Sequence, residues 1–179
     1  KKVLFRIPIC CHNPPMAELP NHRKLPHDIP HWVDKNAAWF ITINCDPPGK
    51  PQLCHRNSSP HPIADAVLAA ARFYHEMPQP KWFIHLFLVM PDHIHAVLSF
   101  PQDCEMKKLF RAWKGFVKQN HTVIWQDDFF DHRLRNEESR QEKLNYIRMN
   151  PIRQQFCDSP EQWPHAVSFD PRSGDETSY

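Results

Sequence analysis

The sequence has no apolar run, free of charged residues, that is long enough to span a bilayer. Its first stretch, KKVLFRIPICCHNPPM, also lacks the long apolar region of a signal peptide. There is no CxxC pair, and the six cysteines do not follow the spacing of a small disulfide scaffold. We therefore expect reduced thiols and a cytoplasmic protein without a membrane partner.

The sequence also has little net charge, because 22 basic side chains are offset by 20 acidic ones to leave +2. A small average charge does not decide whether nucleic acid binds, since binding requires only a local basic face. An apolar content of 41% and an aromatic content of 12% are typical of globular proteins. With 179 residues and no internal repeat, the chain is long enough for one domain with tails.

Hydrophobic periodicity predicts an ordered series of strands and helices. In chain order, we predict a strand at 37–45, a helix from Pro62 that Pro78 stops, a hairpin of strands at 82–90 and 94–100, an amphipathic helix at 104–120, a strand at 123–130, and a last helix that Asn136 caps and Pro151 ends. This order is the split βαβ pattern. It predicts an α+β, ferredoxin-like fold, in which helices pack on one face of an antiparallel sheet and a further helix follows.

Two histidines, His93 and His95, interrupt the apolar stretch from Lys81 to Phe100. Alternate residues of a strand share a face, so both imidazoles point away from the apolar face that contains Ile94. Two imidazoles side by side on a rigid strand are suited to holding one metal ion. In a chain with 13 histidines such a pair also arises by chance, so the motif alone leaves an ordinary polar sheet face equally open.

The last predicted helix carries Tyr146 and Asn150, which are four residues apart and therefore project from the same side. Such a helix would present a phenol and an amide oxygen together toward a metal site. The alternative is that Tyr146 is a packing aromatic and Asn150 a helix C-cap, which spacing alone does not exclude. Tyr74 is a rival nucleophile, but it fits the apolar pattern of its helix and is predicted to belong to the core.

The polar side of the helix at 104–120 is basic, and it lies opposite the apolar side. From the sequence, this face is either an ordinary solvated surface or a stripe that follows a phosphate backbone. Four side chains form it: Lys107, Arg111, Lys114 and Lys118.

Four motifs, in order, resemble the REP-associated tyrosine transposases of the single-tyrosine HUH superfamily: VMPDHIHAVL, WKGFVKQN, IWQDDFFDHRLR and LNYIRMNPIR. The most specific are the triplet from His93 to His95, preceded by Met90 and Pro91, and the Tyr-Ile-x-x-Asn-Pro sequence that starts at Tyr146. The resemblance implies that residues 38–150 form a catalytic domain, with an N-terminal extended segment at 1–37 and a C-terminal tail at 151–179. After Pro151 the chain departs from the family pattern, since it reads IRQQF where members often continue toward Ala-Gly.

The resemblance also implies a function, in which the domain cleaves and rejoins single-stranded DNA near hairpin or palindromic repeats through a covalent phosphotyrosine. Carried over by position, His93 and His95 are metal ligands, Asn150 is the third ligand, and Tyr146 is the nucleophile. Lys143 is a candidate for helping Tyr146 to lose its proton. The expected cofactor is Mg²⁺ or Mn²⁺, and the expected assembly is a monomer or a homodimer. The basic stripe is then expected to contact DNA phosphates.

Two other functions stay open at the level of sequence. A domesticated, non-catalytic protein would keep the fold and bind DNA hairpins without cleaving them. A small zinc-dependent hydrolase would use His93 and His95 as zinc ligands, while Tyr146 would be structural and no covalent adduct would form. A separate structural zinc at Cys45, Cys54, His55 and His61 is conceivable, although its spacing matches no established pattern.

Overall fold

An antiparallel sheet forms the centre of the protein. The computed structural model describes residues 37–55, 61–172 and 175–177. The strands in this part of the chain are β1 (Ala38–Asn44), β2 (Phe83–Val89), β3 (His93–Ser99), β4 (Phe130–Leu134), β5 (Ala166–Phe169) and β6 (Glu176–Thr177). They lie in the order β4-β1-β3-β2-β5-β6, and each pairs with its neighbours in antiparallel orientation.

The helices are α1 (Pro62–Glu76), α2 (Met106–Asn120), α3 (Glu137–Arg148) and the short α4 (Asn150–Arg153). β3 lies between β1 and β2, so the β1-α1-β2 unit is split by an inserted strand. The predicted α+β fold with a split βαβ order is therefore confirmed.

The sheet is covered on both faces, which explains why β2 and β3 are apolar along almost their whole length. On one face, Phe87 of β2 contacts Trp113 of α2 with ring centroids 5.8 Å apart. On the other face, Tyr146 of α3 contacts Phe40 of β1 and His95 of β3. The histidine motif consequently lies beneath α3, on the side of the sheet opposite to α2.

The strand predicted at 123–130 is wrong in position, because β4 begins only at Phe130. Residues 123–129 form a loop, in which Trp125 makes an isolated bridge to Cys45. The Lys114 ammonium donates hydrogen bonds to the carbonyls of Gln126, Asp127 and Asp128 in the same loop. The true strand, FDHRL, is polar because it lies at the edge of the sheet and is paired only with β1 among the described strands. Hydrophobic content therefore favoured the wrong segment.

The C-terminal part of the chain, which was expected to be a tail, contains further secondary structure. Asn136 caps α3 through a hydrogen bond from the Ser139 amide, as predicted, but α3 ends at Arg148 and Asn150 already belongs to α4. Farther on, β5 pairs with β2, and the buried Trp163 donates a hydrogen bond to the Val89 carbonyl. These residues extend the sheet, which the sequence reading did not predict.

The N-terminal segment predicted at 1–37 lies outside the described residues except for Ala37. Within the described ranges no helix has the length and apolar character needed to cross a membrane. The described cysteines, Cys45, Cys54, Cys104 and Cys157, are free thiols.

Candidate active site

His93 and His95 lie side by side on β3, on the face that α3 covers. Their ring centroids are 4.6 Å apart and their planes are inclined by 73°. In the sheet, His95 is paired with Thr42 and His93 with Asn44, so β1 provides the neighbouring side chains on the same face. The predicted juxtaposition of the two imidazoles is thus present, on two paired strands that fix its position.

Each imidazole is oriented by a hydrogen bond at Nδ1. The Nδ1 atom of His95 lies 3.0 Å from Thr42 Oγ1, and that of His93 lies 2.7 Å from Asp92 Oδ1. The other carboxylate oxygen of Asp92 accepts a hydrogen bond of 2.8 Å from the Gly49 amide. If Nδ1 carries the proton in both rings, each Nε2 retains a lone pair, which is the state a metal ligand requires.

Burial and hydrogen bonds set the protonation states of His95 and Asp92. Burial lowers the pKa of His95 to about 3, and the nearby charges of His93 and Lys143 act in the same direction. Burial alone would raise the pKa of Asp92, but hydrogen bonds from His93 and the Gly49 amide outweigh it and lower that pKa. His95 is therefore neutral and Asp92 ionised at neutral pH.

Tyr146 projects from α3 over the histidine face of the sheet. Its ring centroid lies 5.9 Å from that of His95 and 6.3 Å from that of Phe40, in edge-on contacts. Leu144 and Ile147 are buried and anchor the helix, whereas Tyr146 remains 40% exposed. The phenol is therefore accessible from solvent and adjacent to the paired imidazoles. Tyr74, by contrast, is partly buried and stacks on the core residue Trp82 at 5.1 Å.

Two cationic side chains flank the Tyr146 ring. The Lys143 Nζ atom lies 5.2 Å from its centroid and 4.8 Å from the centroid of Phe40. Arg153 of α4 lies over the same ring, with its Cζ atom 5.0 Å from the centroid. Both cations therefore contact the aromatic ring of Tyr146.

Asn150 lies one helical turn beyond Tyr146 and is buried, with 7% of its surface exposed. No hydrogen bond links its side chain to His93 or His95 in the described part of the chain. Nor do the described residues contain a group of three or more His, Cys, Asp or Glu side chains that could hold a metal ion. The described residues therefore give no support to the zinc site considered at Cys45, Cys54, His55 and His61.

Comparison with known proteins gives one consistent result. Over 138 residues the chain is 25% identical to the REP-associated tyrosine transposase of Escherichia coli (strain K12), a match that covers 74% of this chain and 77% of that protein. The chain resembles REP-associated tyrosine transposases. It is also 23% identical, over 95 residues, to the putative REP-associated tyrosine transposase of Haemophilus influenzae (strain ATCC 51907 / DSM 11121 / KW20 / Rd), covering 44% of this chain and 54% of the relative. No family model matches.

The likeness to REP-associated tyrosine transposases extends to the fold. A solved structure of such a transposase bound to a REP hairpin superposes with a TM-score of 0.57 at 23% identity, covering 75% of this chain and 78% of that one. The α+β architecture is therefore shared.

The basic stripe, which the resemblance to these transposases marked for phosphate contact, divides into two kinds of residue. Lys107, Arg111 and Lys118 are exposed on α2, beside a cleft of about 370 Å³ between α2 and the loop at 124–129. Lys114 is buried, and its ammonium donates to the carbonyls of Gln126, Asp127 and Asp128 at 2.7, 3.3 and 3.2 Å. Since these carbonyls use its donors, Lys114 holds the loop, and the exposed stripe consists of the other three.

Several residues of the site were not found by the sequence reading. Thr42 and Phe40 could have been found from the pleat of β1, since alternate residues of that strand face the histidines. Phe130, whose ring meets that of Phe40 at 6.0 Å, was missed because β4 was predicted too early in the chain. Arg153 carries no sequence signal, because its contact with Tyr146 depends on how α4 follows α3.

Proposed function

We propose that this protein is a metal-dependent endonuclease and strand transferase that cleaves and rejoins single-stranded DNA near hairpin or palindromic repeats. The observation that carries the proposal is the placement of the exposed Tyr146 ring 5.9 Å from His95, which is itself paired with His93 on one rigid strand. The resemblance to REP-associated tyrosine transposases supports the same class of reaction. The hairpin bound by the structurally similar transposase supports hairpin DNA as the partner.

In this proposal Tyr146 is the nucleophile. Its phenol oxygen forms a bond to the phosphorus of a DNA phosphodiester, while the bond from phosphorus to one deoxyribose oxygen breaks and that oxygen leaves as a hydroxyl. The attack requires the phenol to lose its proton, since a free phenol is mostly protonated at neutral pH. Lys143 and Arg153, which contact the Tyr146 ring, are the candidates for offsetting the negative charge that develops during the attack.

The residues present fit a divalent cation of the kind the resemblance implies, Mg²⁺ or Mn²⁺. His93 and His95 would hold it through Nε2, and the Asn150 amide oxygen would be the third protein ligand. A cation there would offset the negative charge that increases on the phosphate oxygens in the transition state. Thr42 and Asp92 keep the two imidazoles in the required orientation.

The covalent intermediate also accounts for rejoining. A phosphotyrosine ester conserves the free energy of the broken DNA linkage, so a DNA hydroxyl can attack the same phosphorus and displace Tyr146. The number of phosphoester bonds is unchanged in each step. Strand transfer by this route needs no ATP.

The exposed stripe Lys107, Arg111 and Lys118 provides the contact with the DNA phosphates, because cationic side chains on one helix face can follow a backbone. This stripe lies on the side of the sheet opposite to Tyr146. A hairpin stem held by α2 must therefore send its unpaired strand around an edge of the sheet to reach the tyrosine.

The proposal is tested with labelled hairpin DNA that carries single-stranded extensions, incubated with Mn²⁺ and the wild type, Tyr146→Phe or Tyr74→Phe. We expect a covalent protein–DNA band on a denaturing gel for the wild type and for Tyr74→Phe, and no band for Tyr146→Phe or after chelation. Binding without any band would support a non-catalytic hairpin-binding protein. Cleavage by both the wild type and Tyr146→Phe, without a band, would support a hydrolase.

A further inference from the structure

Phe130 is an aromatic side chain left exposed beside the candidate active site. It is the first residue of the edge strand β4, and 55% of its surface is accessible. Among the other exposed large apolar side chains of the described residues, Phe73 and Phe116 stack on each other on the α1 and α2 side, at 6.1 Å and 14°. Phe130 instead meets Phe40 edge-on at 6.0 Å, so most of its ring surface stays open to solvent.

Phe130 is close to both the histidine pair and Tyr146. In the β1–β4 register it is paired with Thr42, the residue that hydrogen-bonds to His95. Phe40 contacts Phe130 on one side and Tyr146 on the other, at 6.0 and 6.3 Å. A single ring therefore separates Phe130 from the nucleophile, and DNA placed for attack at Tyr146 passes within its reach.

The position of Phe130 is fixed by the loop that precedes it. The Lys114 ammonium binds three successive carbonyls in that loop, and Trp125 forms a bridge with Cys45 at the end of β1. Gln126 adds hydrogen bonds to Asn44 through backbone and side chain. Because the loop is tied at these points, the backbone that carries Phe130 is held in place before any ligand arrives, which reduces the entropic cost of stacking.

The location of β4 also fits the path that the DNA must take. β4 is the outermost strand on one side of the described sheet, and the loop before it borders the cleft beside the basic stripe of α2. An unpaired strand that runs from α2 to Tyr146 around this edge crosses β4 at Phe130. A nucleobase has a flat apolar face that stacks on an aromatic ring regardless of its sequence.

We propose that Phe130 stacks on an unpaired base next to the phosphate that Tyr146 attacks and thereby positions the single strand. The inference rests on the proposed function, which it deepens by assigning a binding position to the unpaired strand. Phe130 is a positioning residue, because it contacts the base and not the reacting atoms. The ligand that we assign to the exposed face of Phe130 is single-stranded DNA and not a second copy of this chain.

The test uses the full chain in chelator, so that binding is measured without chemistry. Hairpins with a single-stranded extension carry the fluorescent base 2-aminopurine at one extension position at a time, and a blunt hairpin serves as the reference DNA. For the wild type we expect stacking to quench the fluorescence at one position. Phe130→Ala should abolish that quenching and weaken binding of the extended hairpin about 10- to 100-fold, with less than a twofold change for the blunt hairpin.

Two further variants separate stacking from other effects. Phe130→Tyr keeps an aromatic ring and should retain the quenching and the affinity. Phe73→Ala removes an exposed aromatic ring on the α1 side and should change neither. Unchanged binding and quenching in Phe130→Ala, or an equal loss for blunt and extended hairpins, would overturn the inference. A change of oligomeric state in Phe130→Ala, seen by sedimentation, would also overturn it by indicating a protein occupant.

The fluorescence and binding results for Phe130 can fail or succeed independently of the adduct assay for Tyr146. If the wild type forms an adduct and Phe130→Ala binds and reacts like the wild type, the inference fails and the proposed function stands. If quenching depends on Phe130 but no adduct forms under any condition, the stacking position stands and the catalytic proposal fails.

Discussion

At the scale of single residues, the two histidines and the tyrosine are readable from the sequence, whereas the groups that orient them are not. The strand period of two places His93 and His95 on one face, and the resemblance assigns their partner in Tyr146. The partner of His95, Thr42, is 53 residues away along the chain, and only the register of β1 with β3 brings them together. Register depends on the whole sheet, so a local pattern could not predict this contact.

The hydrogen bond between Thr42 and His95 gives a prediction about metal use. Thr42→Val keeps the shape of the side chain but removes the hydroxyl that orients the His95 ring. Partners of this kind typically affect metal affinity or activity by about 10- to 100-fold, so adduct formation should require a correspondingly higher Mn²⁺ concentration. The measurement is the rate of adduct formation as a function of Mn²⁺ concentration.

Ser99→Ala is the matched control for Thr42→Val. Ser99 is on β3 and its hydroxyl contacts His85 at 2.8 Å, so the variant also removes a hydroxyl partner of a histidine, but away from Tyr146. Its Mn²⁺ dependence should equal that of the wild type. A Thr42→Val protein with the same Mn²⁺ dependence as the wild type would contradict the orienting role of Thr42.

At the scale of elements, the sequence predicted the helices and the central strands well but misplaced the edge strand. The central strands are apolar because α-helices cover both of their faces, and that composition is visible in the sequence. β4 has exposed residues and borders solvent, so its composition resembles that of a loop. The apolar residues just before it, such as Val123 and Phe129, are buried in a loop and not in a strand.

The helix α2 shows that residues of one charge on one face can have different roles. Lys114→Met removes a buried ammonium that binds three loop carbonyls, so we expect a loss of about 2–3 kcal/mol in the free energy of unfolding. Lys118→Met, on the same helix but exposed, should change that free energy by less than about 0.5 kcal/mol. Urea unfolding followed by tryptophan fluorescence measures both.

For hairpin binding we expect the larger effect from Lys118→Met, the variant with the smaller effect on the free energy of unfolding. Lys118→Met is expected to weaken hairpin binding and to reduce the salt dependence of the binding constant by about one ion, because a phosphate contact is lost. Equal stability of the wild type and Lys114→Met would contradict the assignment of Lys114 to the loop. A salt dependence unchanged by Lys118→Met would remove Lys118 from the phosphate stripe.

At the scale of the whole molecule, the chain after Pro151 contributes two strands to the sheet, because β5 pairs with β2 and β6 pairs with β5. The sequence reading treated it as a tail because its segments are short and lack periodicity. Pairing at an existing sheet edge does not need strong periodicity, since the partner strand supplies the register. The order of the sheet, with the histidine face beneath α3 and the basic helix on the other face, likewise emerged only from the structure.

Stability should decrease in weak acid because of buried histidines. Burial, followed by the charge of Arg140, lowers the pKa of His85 from 6.5 to about 4. Between these values the unfolded chain binds a proton that the folded protein excludes, so stability is full above about pH 6.5 and falls as pH decreases toward about 4. This difference in the pKa of His85 corresponds to a loss of roughly 3 kcal/mol at most in the free energy of unfolding, since each pKa unit is worth about 1.4 kcal/mol.

Urea unfolding in chelator across this pH range tests the effect. His85→Gln should show a smaller decrease in stability than the wild type, and the remainder includes the contribution of His95, whose pKa is lowered further. If the wild type and His85→Gln lose stability equally, His85 is not held neutral in the folded protein.

The central claim is that Tyr146 becomes covalently attached to DNA, and the most direct measurement is the mass of the modified peptide. The wild type is incubated with a hairpin substrate and Mn²⁺, the adduct is digested with a nuclease and a protease, and the peptides are sequenced by mass spectrometry. We predict that a nucleotide remnant is attached to Tyr146, in the peptide that contains LNYIR. A remnant on another residue such as Tyr74, or cleaved DNA without any modified peptide, would contradict the account.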